Sequence, residues 1–146
     1  VASLMQLFAG ANFRLTIQRY CDEHGWRIHD LNDRRAVLRF TMQSGRSQTL
    51  YIIKYETTLE FSVPSMFGFD TIDAIPHYIS TLLLKRSSQK KLGFWCIEEI
   101  GGKQVYSCMH NAEMQLIDSN YFAALVQALV TECDEFEGVI LKMLNG

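Results

Sequence analysis

The amino-acid sequence predicts an α+β domain in which an antiparallel sheet packs against helices. Three observations point there. From Val37 to Gln43 apolar and polar residues alternate with period two, the pattern of a strand wet on one face. From Phe122 to Met143 apolar residues recur at steps of four and three, the seam of one long helix. Between them Gly101-Gly102 joins two short apolar runs, and paired glycines suit the positive φ of a tight hairpin.

Taken in chain order, Asn12 is an N-cap candidate, and Phe13, Ile17, Tyr20 and Cys21 lie on one helical face that Gly25 closes. Trp26 to Leu31 is a short strand, followed by turn residues Asn32 and Asp33. The alternating strand from Val37 ends in the turn Ser44-Gly45-Arg46. Thr49 to Tyr55, rich in β-branched and aromatic residues, and Leu59 to Val63 continue an antiparallel meander, with Pro64 expected to end the last strand. Ser65 to Asp70 then read as an aromatic loop.

Pro76 fits the first turn of a second helix whose buried stripe is Ile75, Ile79, Leu82 and Leu83. Phe94 to Ile100 and Lys103 to His110 form the glycine hairpin. With a two-residue turn, Cys96 faces Ser107 and Cys108 faces Trp95, so the two thiols lie on opposite sides of the sheet. The last helix starts near Asp118 or Ser119 and runs to about Leu144, long enough that its far end outruns the sheet and invites a partner. The expected order is α-β-β-β(-β)-α-β-β-α in a single domain, residues 1–146, because no linker, repeat or low-complexity tract divides the chain.

Composition narrows the function. With 48% hydrophobic and 21% charged residues the chain has material for a packed core, and its net charge of -2 supplies no field to gather nucleic acid or anionic lipid. No apolar run approaches the ~20 residues of a membrane span, and Val1 to Ala11 lacks the basic leader of a signal peptide. Cys21, Cys96, Cys108 and Cys133 follow no framework spacing and read as reduced thiols of a cytoplasmic protein.

The order of elements resembles the type III secretion chaperone-like fold, and within it the YbjN family. The residues that carry this are Leu59-Glu60-Phe61, Ile75-Pro76 opening a helix that ends in Leu82-Leu83-Leu84-Lys85-Arg86, Gly93-Phe94-Trp95, and a closing helix with Phe122, Leu125, Leu129 and acids through Glu137. Ser87 and Ser88 stand where that family usually has an asparagine. The resemblance implies a non-enzymatic, often dimeric bacterial protein that holds segments of partner proteins or acts in regulation. It brings no catalytic residues.

Reactive constellations are sparse. Cys21 and His24 lie one turn apart but find no second ligand pair, and a closed zinc site needs four. Asp70 and Asp73 before the helix of His77 read as capping carboxylates, and Lys85, Arg86, Lys90 and Lys91 as a solvated helix end. Met66, Phe67 and Phe69 of the loop, with Phe136, Ile140 and Met143 of the last helix, are the candidate protein interface, since aromatics and Met are enriched at such surfaces. The expected function is a protein-binding module without metal, cofactor or turnover, working as a homodimer. A small-molecule sensor or enzyme using the sheet face, with His29, His77 or His110, is the rival class.

Overall fold

The computed structural model describes the backbone from Leu4 to Gly146 and the side chains from Asn12 onward. The reading of Val1 to Ala11 as lacking a leader falls outside the described residues or their side chains. The elements are α1 (Leu4–Glu23), β1 (Ile28–Leu31), β2 (Arg35–Thr41), β3 (Ser47–Tyr55), β4 (Thr58–Phe69), α2 (His77–Gln89), β5 (Phe94–Ile100), β6 (Lys103–Glu113) and α3 (Ser119–Asn145). All six strands join one antiparallel sheet in the order β1-β2-β3-β4-β6-β5. The α+β class and the optional fourth meander strand are therefore both present.

Strand and helix ends shift by a few residues in several places, and the start of α1 and the end of β4 differ most from expectation. Asn12 lies inside α1 rather than capping it, because Leu4 to Ala9 holds strong helix formers that carry the helix upstream. At its other end Gly25 adopts φ 69°, and the Trp26 N–H reaches back to the Cys21 carbonyl at 2.8 Å, which closes the helix as expected.

The larger correction concerns Pro64, which does not end its strand. β4 continues through Ser65, Met66 and Phe67 to Phe69, so the expected aromatic loop is a strand. Pairing with β3 runs only from Thr58 to Ser62, whereas pairing with β6 resumes beyond Pro64 after a bulge, at Gly68 opposite Val105 and Phe69 opposite Gln104. Proline is tolerated because it sits where the strand has lost its β3 neighbour and beside the irregularity, two places where a missing donor costs little.

The hairpin register is the expected one, with Cys96 opposite Ser107 and Trp95 opposite Cys108, and all four cysteines are free. Alternation gives the sheet two unlike faces. Leu38, Leu50, Val63, Cys108 and Trp95 belong to the face that builds the core with Phe13 and Ile17 of α1, Leu83 of α2 and Phe122, Leu129 and Phe136 of α3. The row Val37, Tyr51, Ser62, Met109 and Phe94 lies on the opposite face. All three helices contribute to the first face alone, because α1 contacts α3 and α2 is tied to α3 by Arg86 and Glu132.

No helix among the described residues is long and apolar enough to cross a membrane. Gly93 is the tightest point between hairpin and helix: its φ is 90°, and a Cβ there would lie 2.7 Å from Leu129 Cδ2, a fully buried atom. Gly93→Ala is accordingly expected to lower the unfolding free energy by about 2–3 kcal/mol, from backbone strain plus overpacking. Urea denaturation followed by tryptophan fluorescence measures this, and an unchanged midpoint would contradict the packing described.

Candidate protein-binding edge

A six-stranded open sheet leaves two edges, and they differ. β1 has four residues and an irregular register between Ile28 and Asp30, with His29 and Asp30 exposed. Short, bulged and polar edges are poor templates for a further strand. β5 has seven residues in unbroken register with β6 and presents Phe94, Ile97 and Ile100 partly to solvent.

The hydrogen-bond inventory of β5 follows from alternation. The Trp95 N–H donates to Ser87 Oγ of α2 at 2.8 Å, so it points away from β6. The N–H groups of Ile97 and Glu99 share that outward direction, since alternate residues of a strand face the same neighbour. Pointing away from β6, they are not used in the β5–β6 ladder.

Beside this edge, α2 and β5 enclose a cavity of about 110 Å³ lined by Ser80, Leu83, Leu84, Trp95, Cys96, Ile97 and Tyr106. Its polar groups satisfy one another: Ser80 Oγ lies 2.7 Å from Tyr106 Oη, which donates to the Pro76 carbonyl at 3.2 Å. What faces an incoming group is therefore apolar. Leu84 and Ile97 form the rim, 67% and 43% exposed.

The groove exists because charges in the helix layer hold α2 in place. Glu132 of α3 is buried, and Arg86 grips both its oxygens at 2.9 and 2.6 Å while Trp95 Nε1 donates at 2.8 Å and Lys90 Nζ lies at 3.0 Å. Burial alone would raise this carboxyl, but the bonds from Arg86, Trp95 and Lys90 outweigh it and hold the pKa at about 2. Five residues on, buried Glu137 accepts from Gln48 Nε2 at 2.6 Å and from the Met66 N–H at 2.7 Å. Asp134 between them takes Arg46 and Ser44.

The sequence-derived interface residues fall into two groups. Phe136 and Ile140 are 4% exposed and belong to the core, and Phe67 and Phe69 fold back onto it, edge-on to Phe136 at 5.7 Å and to Tyr106 at 5.8 Å. Met66 and Met143 remain at the surface, 61% and 56% exposed. The basic cluster is divided too: Arg86 and Lys90 hold Glu132, whereas Lys85 and Lys91 are exposed with no ion-pair partner among the described residues. Asp70 does not cap α2; it pairs with Lys103 at 2.8 Å, and Pro76 occupies the cap without a side-chain bond.

Cys21 is fully buried and its thiol is pushed up to about 12 by burial, while His24 Nε2 lies 3.0 Å from Ser119 Oγ. The pair is structural. Among the described residues no group of three or more His, Cys, Asp or Glu is placed to hold a metal ion. His110 Nδ1 accepts from the Gly93 N–H at 3.0 Å, and burial lowers its pKa. His29 and His110 lie on strands four places apart in the sheet, roughly 19 Å at the spacing of neighbouring strands. They do not converge.

Comparison of the chain with protein-family models, with curated proteins and with solved structures finds no match.

Sequence reasoning missed Leu84, Ile97, Glu132 and Glu137. The signals were present: Leu84 is an apolar residue off the helix stripe, and both glutamates occupy the helical face of Leu129, Cys133, Phe136 and Ile140, where a charge demands a partner. Because Glu132 titrates lower when folded than in a free chain, its contribution is complete above the ordinary carboxylate range and is lost as pH falls toward 2. Glu132→Gln should cost roughly 3 kcal/mol at pH 7 and flatten the acid limb of stability against pH. Urea titrations of both proteins between pH 2 and 7 test this; parallel acid limbs would refute the assignment.

Proposed function

We propose that this chain is a non-enzymatic cytoplasmic protein-binding module, chaperone-like or regulatory in role, that receives an extended segment of a partner along β5. The observation that carries the reading is the coincidence of an unbroken edge strand, its outward N–H groups and an apolar cavity at its side. Strand addition uses this combination, with main-chain bonds for affinity and a side-chain pocket for selectivity.

Magnitude favours a side chain over a metabolite in the cavity. Sites for drug-sized ligands run to about 300–1,000 Å³, and this one offers about 110 Å³ of apolar space whose hydroxyls are already bonded. A single aliphatic side chain fits that description.

A photo-crosslinking residue placed at Ile97 or Leu84 in the source cell should capture other polypeptides, and one placed at the distant turn residue Glu56 should not. Ile97→Pro removes the outward donor while leaving the bonds that flank it to β6, and is expected to abolish capture. Equal labelling at all three positions would overturn the reading.

The same proposal includes a homodimer formed through the last turns of α3, where Val139, Met143 and Leu144 are exposed beside an open groove lined by Gly138, Leu141 and Lys142. Sedimentation should give twice the chain mass. The double variant Met143→Asp, Leu144→Asp should return it to the monomer, and a wild-type monomer at 100 times the working concentration would remove this part.

A further inference from the structure

The edge of β5 carries charge as well as apolar surface. Glu98 and Glu99 occupy consecutive positions on the strand, and Glu60 lies close enough to Glu98 to feel its field. None of the three has a cation within 4 Å among the described residues, whereas Glu132 and Asp134 each hold an arginine. Glu98 Oε2 accepts from Ser62 Oγ at 2.9 Å. Burial raises the Glu60 carboxyl, and the neighbouring charge of Glu98 raises it further.

Alternation fixes where each group points. Ile97 and Glu99 share the side of the sheet that bears α2 and the cavity, and Glu98 lies on the opposite side with Phe94, Cys96 and Ile100. A strand laid against β5 therefore meets Ile97 and the cavity with one residue. Its next residue toward the turn meets Glu98 on the far side of the sheet, and the one after that meets Glu99 on the near side.

We infer that the segment received at β5 runs antiparallel to it, like every other strand pair of the sheet, and carries an aliphatic residue opposite Ile97 preceded at one and two positions by lysine or arginine, the occupant being a basic, extended stretch of another protein. This rests on the β5 reading above and narrows it. Opposite charges across neighbouring strands stabilise and like charges destabilise. Charge also weighs against a second copy on this edge: antiparallel self-pairing about Ile97 would set Glu98 opposite Cys96 and Glu99 opposite Trp95 of the other copy, bringing no cation to any of the four carboxylates and making the two Glu98 side chains diagonal neighbours on one face. A neutral segment would fill the cavity and leave the acids unanswered.

Fluorescence anisotropy on the full chain tests the inference with three labelled ten-residue peptides of alternating threonine and valine, each with a central leucine immediately preceded by two lysines, two glutamines or two glutamates. At low salt the lysine peptide should bind at least tenfold more tightly than the glutamine peptide, and the difference should shrink as salt shortens the Debye length to about 3 Å near 1 M. The variant Glu98→Gln, Glu99→Gln, changed only at the strand edge, should bind the lysine and glutamine peptides alike. Equal binding of all three peptides by the unaltered chain, lost in Ile97→Pro, would overturn the basic occupant while leaving the edge as a binding site. No binding of any peptide would overturn both. A concentration-dependent dimer abolished by Ile97→Pro would assign the edge to a second copy and overturn the inference outright.

Discussion

The buried carboxylates of α3 constrain the rest of the structure. A charge taken from water costs several kcal/mol unless paired and hydrogen-bonded, and α3 carries Glu132 and Glu137 into the layer between helix and sheet. Their partners come from four other elements: Arg86 from α2, Trp95 from β5, Gln48 from β3 and the Met66 N–H from β4, with Lys90 just beyond α2. Apolar packing tolerates small slides of a helix along a sheet. These bonds do not, because a shift of one turn strands at least one charge.

That constraint reaches the surface through α2. The helix buries Leu83 completely but only part of Ile79 and Leu82, so its apolar stripe alone holds it loosely. The double grip of Arg86 on Glu132, together with Ser87 Oγ receiving the Trp95 N–H, sets how closely α2 approaches β5. The cavity is the space left between two elements spaced by polar contacts rather than by interlocking side chains. The rim residues Leu84 and Ile97 are exposed for the same reason.

How much of this was legible depended on the kind of interaction. The class, the hairpin register and the start of α3 followed from local rules, and Asp118 accepting from the Tyr121 N–H at 2.8 Å is the cap that the sequence announces. Pro64 misled because its effect depends on whether a neighbouring strand is still present, which is a property of the sheet. Phe67, Phe69, Phe136 and Ile140 were candidates for an interface on composition. Composition cannot tell an aromatic that covers a core from one that waits for a partner. Glu132 and Glu137 were readable as charges on a buried face, but Arg86 and Gln48, 46 and 89 residues away, were not readable as their partners. Long-range polar pairing leaves almost no local trace.

Energy estimates also bear on what kind of binding β5 supports. Two outward N–H groups and their neighbouring carbonyls offer a few main-chain bonds at roughly 1 kcal/mol net each, and one aliphatic side chain in the cavity adds about 2 kcal/mol. Against this stands the ordering of an extended segment and the loss of its freedom in solution, which take several kcal/mol. The surplus is small, so such a contact forms and breaks readily. A protein that holds a segment and then releases it needs that balance, and a second weak contact, supplied by charge or by a linked copy of the site, multiplies the hold without making it permanent. On the proposed reading, an edge strand with a small apolar pocket would suit transient custody of a partner, whereas a permanent subunit interface would need a larger apolar area than β5 and α2 expose.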